Sequence, residues 1–84
     1  MKVNVKFLGP IREATGKRER IITLKIGSVR ELLDAIYKLY PKAKKNLELA
    51  GVFFKGAIVK SDEMQSPILN EGDEVSLILP VAGG

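Results

Sequence analysis

The chain has 84 residues, 45% of them hydrophobic and 29% charged, with a formal net charge of +4. That length makes one small domain burying about 60–65% of its unfolded surface, and the balance is that of a globular rather than a disordered chain. With no Cys and no His, it has no disulfide staple, no thiolate nucleophile, no imidazole metal ligand and no imidazole general base. A binding or carrier module is expected rather than a self-contained catalyst.

No apolar run approaches the length of about 20 residues that a membrane span needs, and no basic-then-apolar leader follows Met1. A cytoplasmic location with no membrane partner is expected. Lys17, Arg18 and Arg20 form one basic cluster, and Lys42, Lys44 and Lys45 another. Neither interleaves the stacking aromatics of a nucleic-acid site, so both read as solvated charge and no nucleic-acid partner is expected.

The first element, "KVNVKFL", alternates Val3, Val5 and Phe7 against Lys2, Asn4 and Lys6, the pattern of a half-buried strand. Gly9-Pro10 stops it, and "IREATG" fits one or two helical turns closed by Gly16. "RERIITLKI" alternates again, with Ile22, Leu24 and Ile26 on one face and Thr23 and Lys25 on the other. Two strands over a short connection predict an antiparallel hairpin with a widened loop.

The period then changes. After Gly27-Ser28, the apolar residues Val29, Leu32, Leu33, Ile36, Leu39 and Tyr40 recur at helical spacing. Ser28 with Glu31 three residues on is a capping box, and Pro41 ends the helix by disfavouring helical geometry at Tyr40. The helix is expected at about residues 28–40. "KAKKNLELAG" is a weaker helix or loop, "VFFKGAIV" a tight hairpin turning at Lys55-Gly56, and "KSDEMQSPIL" a loop. "NEGDE" is a turn with Gly72 as its permissive residue, and "VSLILPV" is the last strand, ended by Pro80. The acidic cluster Glu71, Asp73 and Glu74 reads as part of that turn rather than a cation site, and Asp62-Glu63 as loop; no metal site is expected.

The order is therefore β-β-α-β-β-β. One amphipathic helix must bury its stripe against one sheet face. A hairpin followed by a crossover helix lets the last strand lie parallel to the first and beside it. The expected fold is α+β, a β-grasp with a mixed sheet and one main helix packed across it. Its core should hold Val3, Val5, Phe7, Ile22, Leu24, Leu32, Leu33, Ile36, Val75, Leu77 and Leu79. If Leu77 and Leu79 face inward, Ile78 faces out, as does one of Phe53 and Phe54; such groups near a terminal tail form a candidate docking face for a larger partner. Residues 1–80 make the domain and 81–84 a flexible tail ending in Gly83-Gly84.

A β-grasp whose last strand runs out into Gly-Gly resembles ubiquitin and its prokaryotic sulfur-carrier relatives. The chain is similar in particular to the MoaD/ThiS family, whose members include the small subunit of molybdopterin synthase. "VKFLGPIREATG" resembles the family's opening strand and turn, "GSVRELLDAIYKLYP" its helix, "VFFKGAIV" its hairpin, and "LNEGDEVSLILPVAGG" its closing signature, the most specific of the four.

The resemblance implies that the Gly84 carboxylate carries the reacting group. Ionised near pKa 3.3–3.7, about the usual C-terminal range, it is a poor electrophile until a partner converts it to an acyl-adenylate. Gly83 and Gly84, without Cβ atoms, suit a narrow channel, and Pro80, Val81 and Ala82 would lead into it, Pro80 restricting the exit direction. The implied partners are an ATP-dependent adenylyltransferase of the ubiquitin-activating type, a sulfur donor that makes the thiocarboxylate, and the large synthase subunit. That subunit would use the sulfur to build the dithiolene of molybdopterin. Catalytic side chains would belong to those partners, and no cofactor would be bound by this chain itself. Two related readings share the fold and tail: a ubiquitin-like modifier joined to lysines through Gly84, and a sulfur carrier of the thiazole pathway. A third is a binding domain without tail chemistry.

Overall fold

Strict alternation in β1 (Lys2–Phe7) puts Val3, Val5 and Phe7 on one side of the strand, all three with no exposed surface. The chain is seen here in a computed structural model that describes residues 1–79. Beyond the Gly9-Pro10 break, Pro10 opens α1 (Pro10–Thr15), where its missing N–H costs nothing. Gly16 closes α1 in the left-handed conformation, its amide donating to the Arg12 carbonyl. α1 buries Ile11 in the core and packs Ala14 against it.

β2 (Glu19–Thr23) is shorter than its alternation implies. Leu24 is still buried, but Ile26, expected inside, is 63% exposed. The cause is the Glu31 carboxylate, which accepts hydrogen bonds from the amides of Lys25, Ile26 and Gly27 at 2.8, 2.9 and 2.9 Å. Three successive amides turned towards one carboxylate cannot remain in a strand, so the chain curls and Ile26 swings outward. Gly27 sits at φ 86° in this curl, and a Cβ there would stand 2.6 Å from the Leu69 carbonyl oxygen. Only glycine fits both the angle and the space.

The curl feeds directly into α2 (Val29–Leu39), with Ser28 as N-cap. The Glu31 amide donates to Ser28 Oγ at 3.1 Å, which is the expected first half of the capping box. The second half differs: the Glu31 side chain reaches past Ser28 to the three amides before it. Val29, Leu32, Leu33 and Ile36 are buried, whereas Leu39 is 42% exposed and Tyr40 only half-buried. The stripe fails at its end because Leu39 lies over the open edge of β2, where no further strand covers it. Pro41 ends the helix as expected and opens a 3₁₀ turn, Pro41–Ala43. Tyr40 still meets the core edge-on, its ring 5.6 Å from that of Phe7 at 80°.

α3 (Lys44–Leu49) buries Leu47, and β3 (Gly51–Phe54) and β4 (Ala57–Ile58) form the expected hairpin. Its two-residue turn has Lys55 at φ 51° and Gly56 at φ 82°, the paired positive angles whose twist matches that of the strands. The long connection that follows holds a short 3₁₀ turn at Ser61–Glu63 and is pinned by Val59 and Leu69, both buried. β5 (Glu74–Ile78) closes the described fold. The strand stops two residues before Pro80, and Leu79, placed in the core by alternation, packs against it only partly buried.

The sheet order is β2-β1-β5-β3-β4. β1 and β5 are parallel, with Val5 opposite Val75 and Phe7 opposite Leu77; the other pairings are antiparallel. This is the β-grasp arrangement: a mixed sheet with its first and last strands adjacent at the centre and one main helix packed on one face. Besides the residues expected there, the core takes Ile11, Val29, Ala43, Leu47, Val52, Val59 and Leu69. No helix among the described residues is long and apolar enough to cross a membrane.

Two measurements check this architecture. Leu33→Ala removes a buried side chain from the helix–sheet seam and should lower stability by about 2–5 kcal/mol in urea unfolding. The Lys25 amide, followed by those of Gly27 and Ile26, holds the Glu31 carboxyl below its ordinary value of 4.5. A group depressed on folding contributes stability that is present above its unfolded pKa and lost as pH falls through the folded one. Glu31→Gln should therefore be least stable relative to wild type at neutral pH. The gap between their melting temperatures should narrow as pH drops below 4.5, and a gap independent of pH would contradict this role for the carboxylate.

Candidate functional site

The core takes one face of the sheet; among the described residues the other carries no helix. Register decides what stands on that outer face. From β1 come Lys2, Asn4 and Lys6, and Glu74 and Ser76 lie opposite Asn4 and Lys6 on β5. Lys6 Nζ meets Glu74 Oε1 at 3.6 Å, an exposed pair of small energetic weight. This half of the face is polar.

The other half is apolar. Ile78 lies opposite Gly51, and Phe53 lies opposite both Ser76 and Ile58. Phe53 is 40% and Ile58 50% exposed, while Ile78 is half-buried. Gly51 leaves the floor between them open: a Cβ there would lie 3.6 Å from Ile58 Cδ1 and 3.9 Å from Ile78 Cγ1. Ile58 and Ile78 thus converge over a glycine, with Phe53 beside them, at the end of β5 that leads to the last residues of the chain.

Of the expected docking residues, Ile78 and Phe53 are brought together. Phe54 is not: it lies on the opposite face, packed against the core, with Lys55 Nζ 5.3 Å from its ring centre. Alternation allowed only one of the two phenylalanines to face out, and pairing with Ser76 selects Phe53. Ile58 was absent from the expected set. Its signal was available in the two-residue turn at Lys55-Gly56, which obliges Phe53 to pair with Ile58.

Pro80, Val81, Ala82, Gly83 and Gly84 lie outside the described residues. The acidic groups near the β5 turn are all engaged locally. Glu71 accepts from the Lys2 amide at 2.9 Å and Asp73 from the Asn70 amide at 2.8 Å, leaving Glu74 to Lys6. In the loop, Glu63 accepts from the Lys60 amide at 2.9 Å. These carboxylates shape turns.

A mixed sheet with parallel first and last strands under one main helix is the β-grasp architecture of ubiquitin-like proteins. The ThiS family profile matches residues 5–84, and the chain belongs to that family. The molybdopterin synthase sulfur carrier subunit of Mycobacterium tuberculosis is 31% identical over 86 residues, a match covering 100% of this chain and 99% of that protein. Among solved structures, a putative molybdopterin converting factor subunit 1 from Pyrococcus furiosus superposes with a TM-score of 0.78 at 30% identity, over 96% of this chain and 99% of the other. Subunits 1 and 2 of the molybdopterin-converting factor of Helicobacter pylori were solved as a complex, in which the matching chain gives a TM-score of 0.71 at 27% identity with both chains fully covered. SAMP1 of Haloferax volcanii shares the fold with a TM-score of 0.80 at 22% identity, again with both chains fully covered. The chain is thus a homologue of molybdopterin synthase sulfur carrier subunits.

Proposed function

We propose that this chain is the sulfur-carrier subunit of a molybdopterin synthase and that Gly84 carries the sulfur. The observation that carries the reading is the extent of the family match, which runs through residue 84 and so includes the Gly83-Gly84 end, together with the near-complete coverage of a relative named as such a carrier. The chemistry is compatible with what the chain lacks. A protein without Cys or His can move sulfur if its own carboxylate is the handle and its partners supply the catalytic groups.

In the first step a carboxylate oxygen of Gly84 attacks the α-phosphorus of ATP on an activating partner, forming the acyl-adenylate and releasing pyrophosphate. A sulfide equivalent from a donor then adds to the acyl carbon and expels AMP, leaving a thiocarboxylate. When the large subunit passes that sulfur to the pterin precursor, water restores the carboxylate. One loaded chain supplies one sulfur, so a dithiolene consumes two.

The apolar patch gives the large subunit a place to dock. Phe53, Ile58 and Ile78 sit where β5 ends, and six residues from Ile78 to Gly84 span at most about 20–22 Å when extended. A partner held on the patch therefore has its active site within reach of the terminal carboxylate. A solved complex of the two subunits of a relative's converting factor supports a partner of this kind.

Ile78→Glu should weaken binding of the large subunit by at least about tenfold, the effect of a charge in an apolar contact of roughly 1.4 kcal/mol or more, while the melting temperature stays nearly constant. Unchanged affinity by titration calorimetry would remove the patch from the interface. Deleting Gly84 moves the reacting carbon back by about 3.3–3.6 Å, and misplacement near 1 Å can already cost about 10²-fold. Intact-mass spectrometry after incubation with ATP, the activating partner and a sulfur donor should show one sulfur replacing one oxygen on the full chain and none on the shortened one. Sulfur on the truncated chain, or Gly84 joined instead to lysines of other proteins, would overturn the carrier reading.

A further inference from the structure

β2 forms one edge of the sheet, and its hydrogen-bonding parity is set by its pairing with β1. The Met1 α-ammonium donates to the Leu24 carbonyl at 2.9 Å and the Leu24 amide to the Met1 carbonyl at 2.8 Å, and the Phe7 amide donates to the Arg18 carbonyl at 2.8 Å. In an antiparallel ladder such bonded pairs alternate, so Ile22 and Arg20 also bond to β1. The amides and carbonyls of Glu19, Ile21 and Thr23 therefore point away from the sheet, and among the described residues none of them has a partner.

Alongside this edge runs a groove of about 370 Å³, walled by Arg20, Ile22 and Thr23 on the strand and by Ala35, Lys38 and Leu39 on α2. Its floor is apolar, and Ile21 and Leu39 are 64% and 42% exposed beside it. Its charge is positive. The Arg20 guanidinium lies 5.9 Å from the Tyr40 ring centre and donates to the Tyr40 hydroxyl at 3.3 Å. Neither Arg20 nor Lys38 has a carboxylate partner among the described residues. The two acids of α2 are committed elsewhere: Asp34 pairs with Arg30 at 3.3 Å and Glu31 holds the three amides before the helix. Glu19 stands on the outer face opposite Lys6, away from the groove.

We propose that the β2 edge and its groove bind an extended acidic-apolar segment of another protein, which adds to the sheet as a sixth strand. Its backbone would pair with Glu19, Ile21 and Thr23. Alternate apolar side chains would settle between Ile22 and Leu39, and its Asp or Glu residues would face Arg20 and Lys38. Strand addition supplies affinity through main-chain bonds and selectivity through alternate side chains. Charge selects this occupant over a second copy of the chain, because edge-to-edge pairing would bring Arg20 and Lys38 of one copy against those of the other in a protein already at +4. The surface uses neither Gly84 nor the Phe53–Ile58–Ile78 patch, so its test is independent of the sulfur-carrier reading.

The test is an NMR titration of the full 84-residue chain with the acetylated, amidated peptide Glu-Val-Ile-Val-Ile-Asp-Asp-Glu, and with the same peptide carrying lysine in place of every acid. Saturable amide shifts are expected at Glu19, Ile21, Thr23, Lys38 and Leu39 with the acidic peptide and none with the basic one. Ile21→Pro deletes an outward-facing donor, a position where an edge strand tolerates proline, and should weaken binding by about tenfold, the upper end for one backbone hydrogen bond. Lys38→Glu, a change on an exposed helix surface that leaves the fold untouched, should weaken the acidic peptide and admit the basic one. The proposal is overturned by an absence of shifts, by shifts confined to Phe53, Ile58 and Ile78, or by binding indifferent to Lys38→Glu. It is equally overturned if β2 shifts depend on protein concentration without peptide, which would make the edge a self-association surface.

Discussion

The parallel contact between β1 and β5 is the constraint from which the rest of the architecture follows. Parallel neighbours cannot be joined by a tight turn, so the chain between Phe7 and Glu74 must include a crossover that leaves the sheet and returns to it. α2 makes most of that crossing, and its buried stripe joins Ile11 of α1 and Leu47 of α3 in one core with the inner faces of the two central strands. The strands and helix are therefore interdependent: Val3, Val5, Phe7, Val75 and Leu77, with no exposed surface, share one core with Val29, Leu32, Leu33 and Ile36. On its other side β5 pairs with β3, where Ile78 meets Gly51. The apolar patch exists because of that adjacency.

Entry into the crossover is controlled by one carboxylate. Glu31 gathers three amides that would otherwise be left without partners where β2 gives way to α2, while Ser28 serves the first turn of the helix itself. The return path is tied to the same point, since the Leu69 amide donates to the Gly27 carbonyl at 2.9 Å and the Arg30 amide to the Met64 carbonyl at 2.9 Å. A long loop with little regular structure is thereby held across the helix start. Two distant segments depend on a glycine with room for no side chain and on a glutamate whose charge is spent on backbone.

The two exposed margins of the sheet differ in chemistry. Towards β3 and β4 the outer face is apolar and adjoins the end of β5, which on the proposed reading suits a partner that also receives the C-terminal residues. Towards β2 the edge is flanked by cations, and its unpaired backbone groups offer directional bonds in place of apolar area. Positive charge beside an open edge discourages pairing between copies of the chain. On the proposed reading, the same charge attracts an acidic strand.

Local pattern alone determined the elements and their order. Alternation located β1, β2 and β5, the change to helical spacing with Ser28 and Glu31 located α2, and Lys55-Gly56 located the hairpin turn, because each depends on neighbours a few residues apart. The parallel pairing of β1 with β5 was also legible, since a hairpin followed by a crossover leaves few other arrangements. The closing "LNEGDEVSLILPVAGG" carried the family resemblance. Tertiary structure alone decided what depends on contacts distant in sequence. Ile26 and Leu39 fit their stripes yet lie exposed, one because a carboxylate five residues away curls the strand and the other because the sheet ends beneath it. Leu69, in a stretch with no periodicity, is buried because the loop folds back over the core. Phe53 rather than Phe54 faces outward because register with Ser76 and Ile58 chooses between two positions that local sequence leaves equivalent. Periodicity reports which residues share a face; only packing reports whether anything covers it.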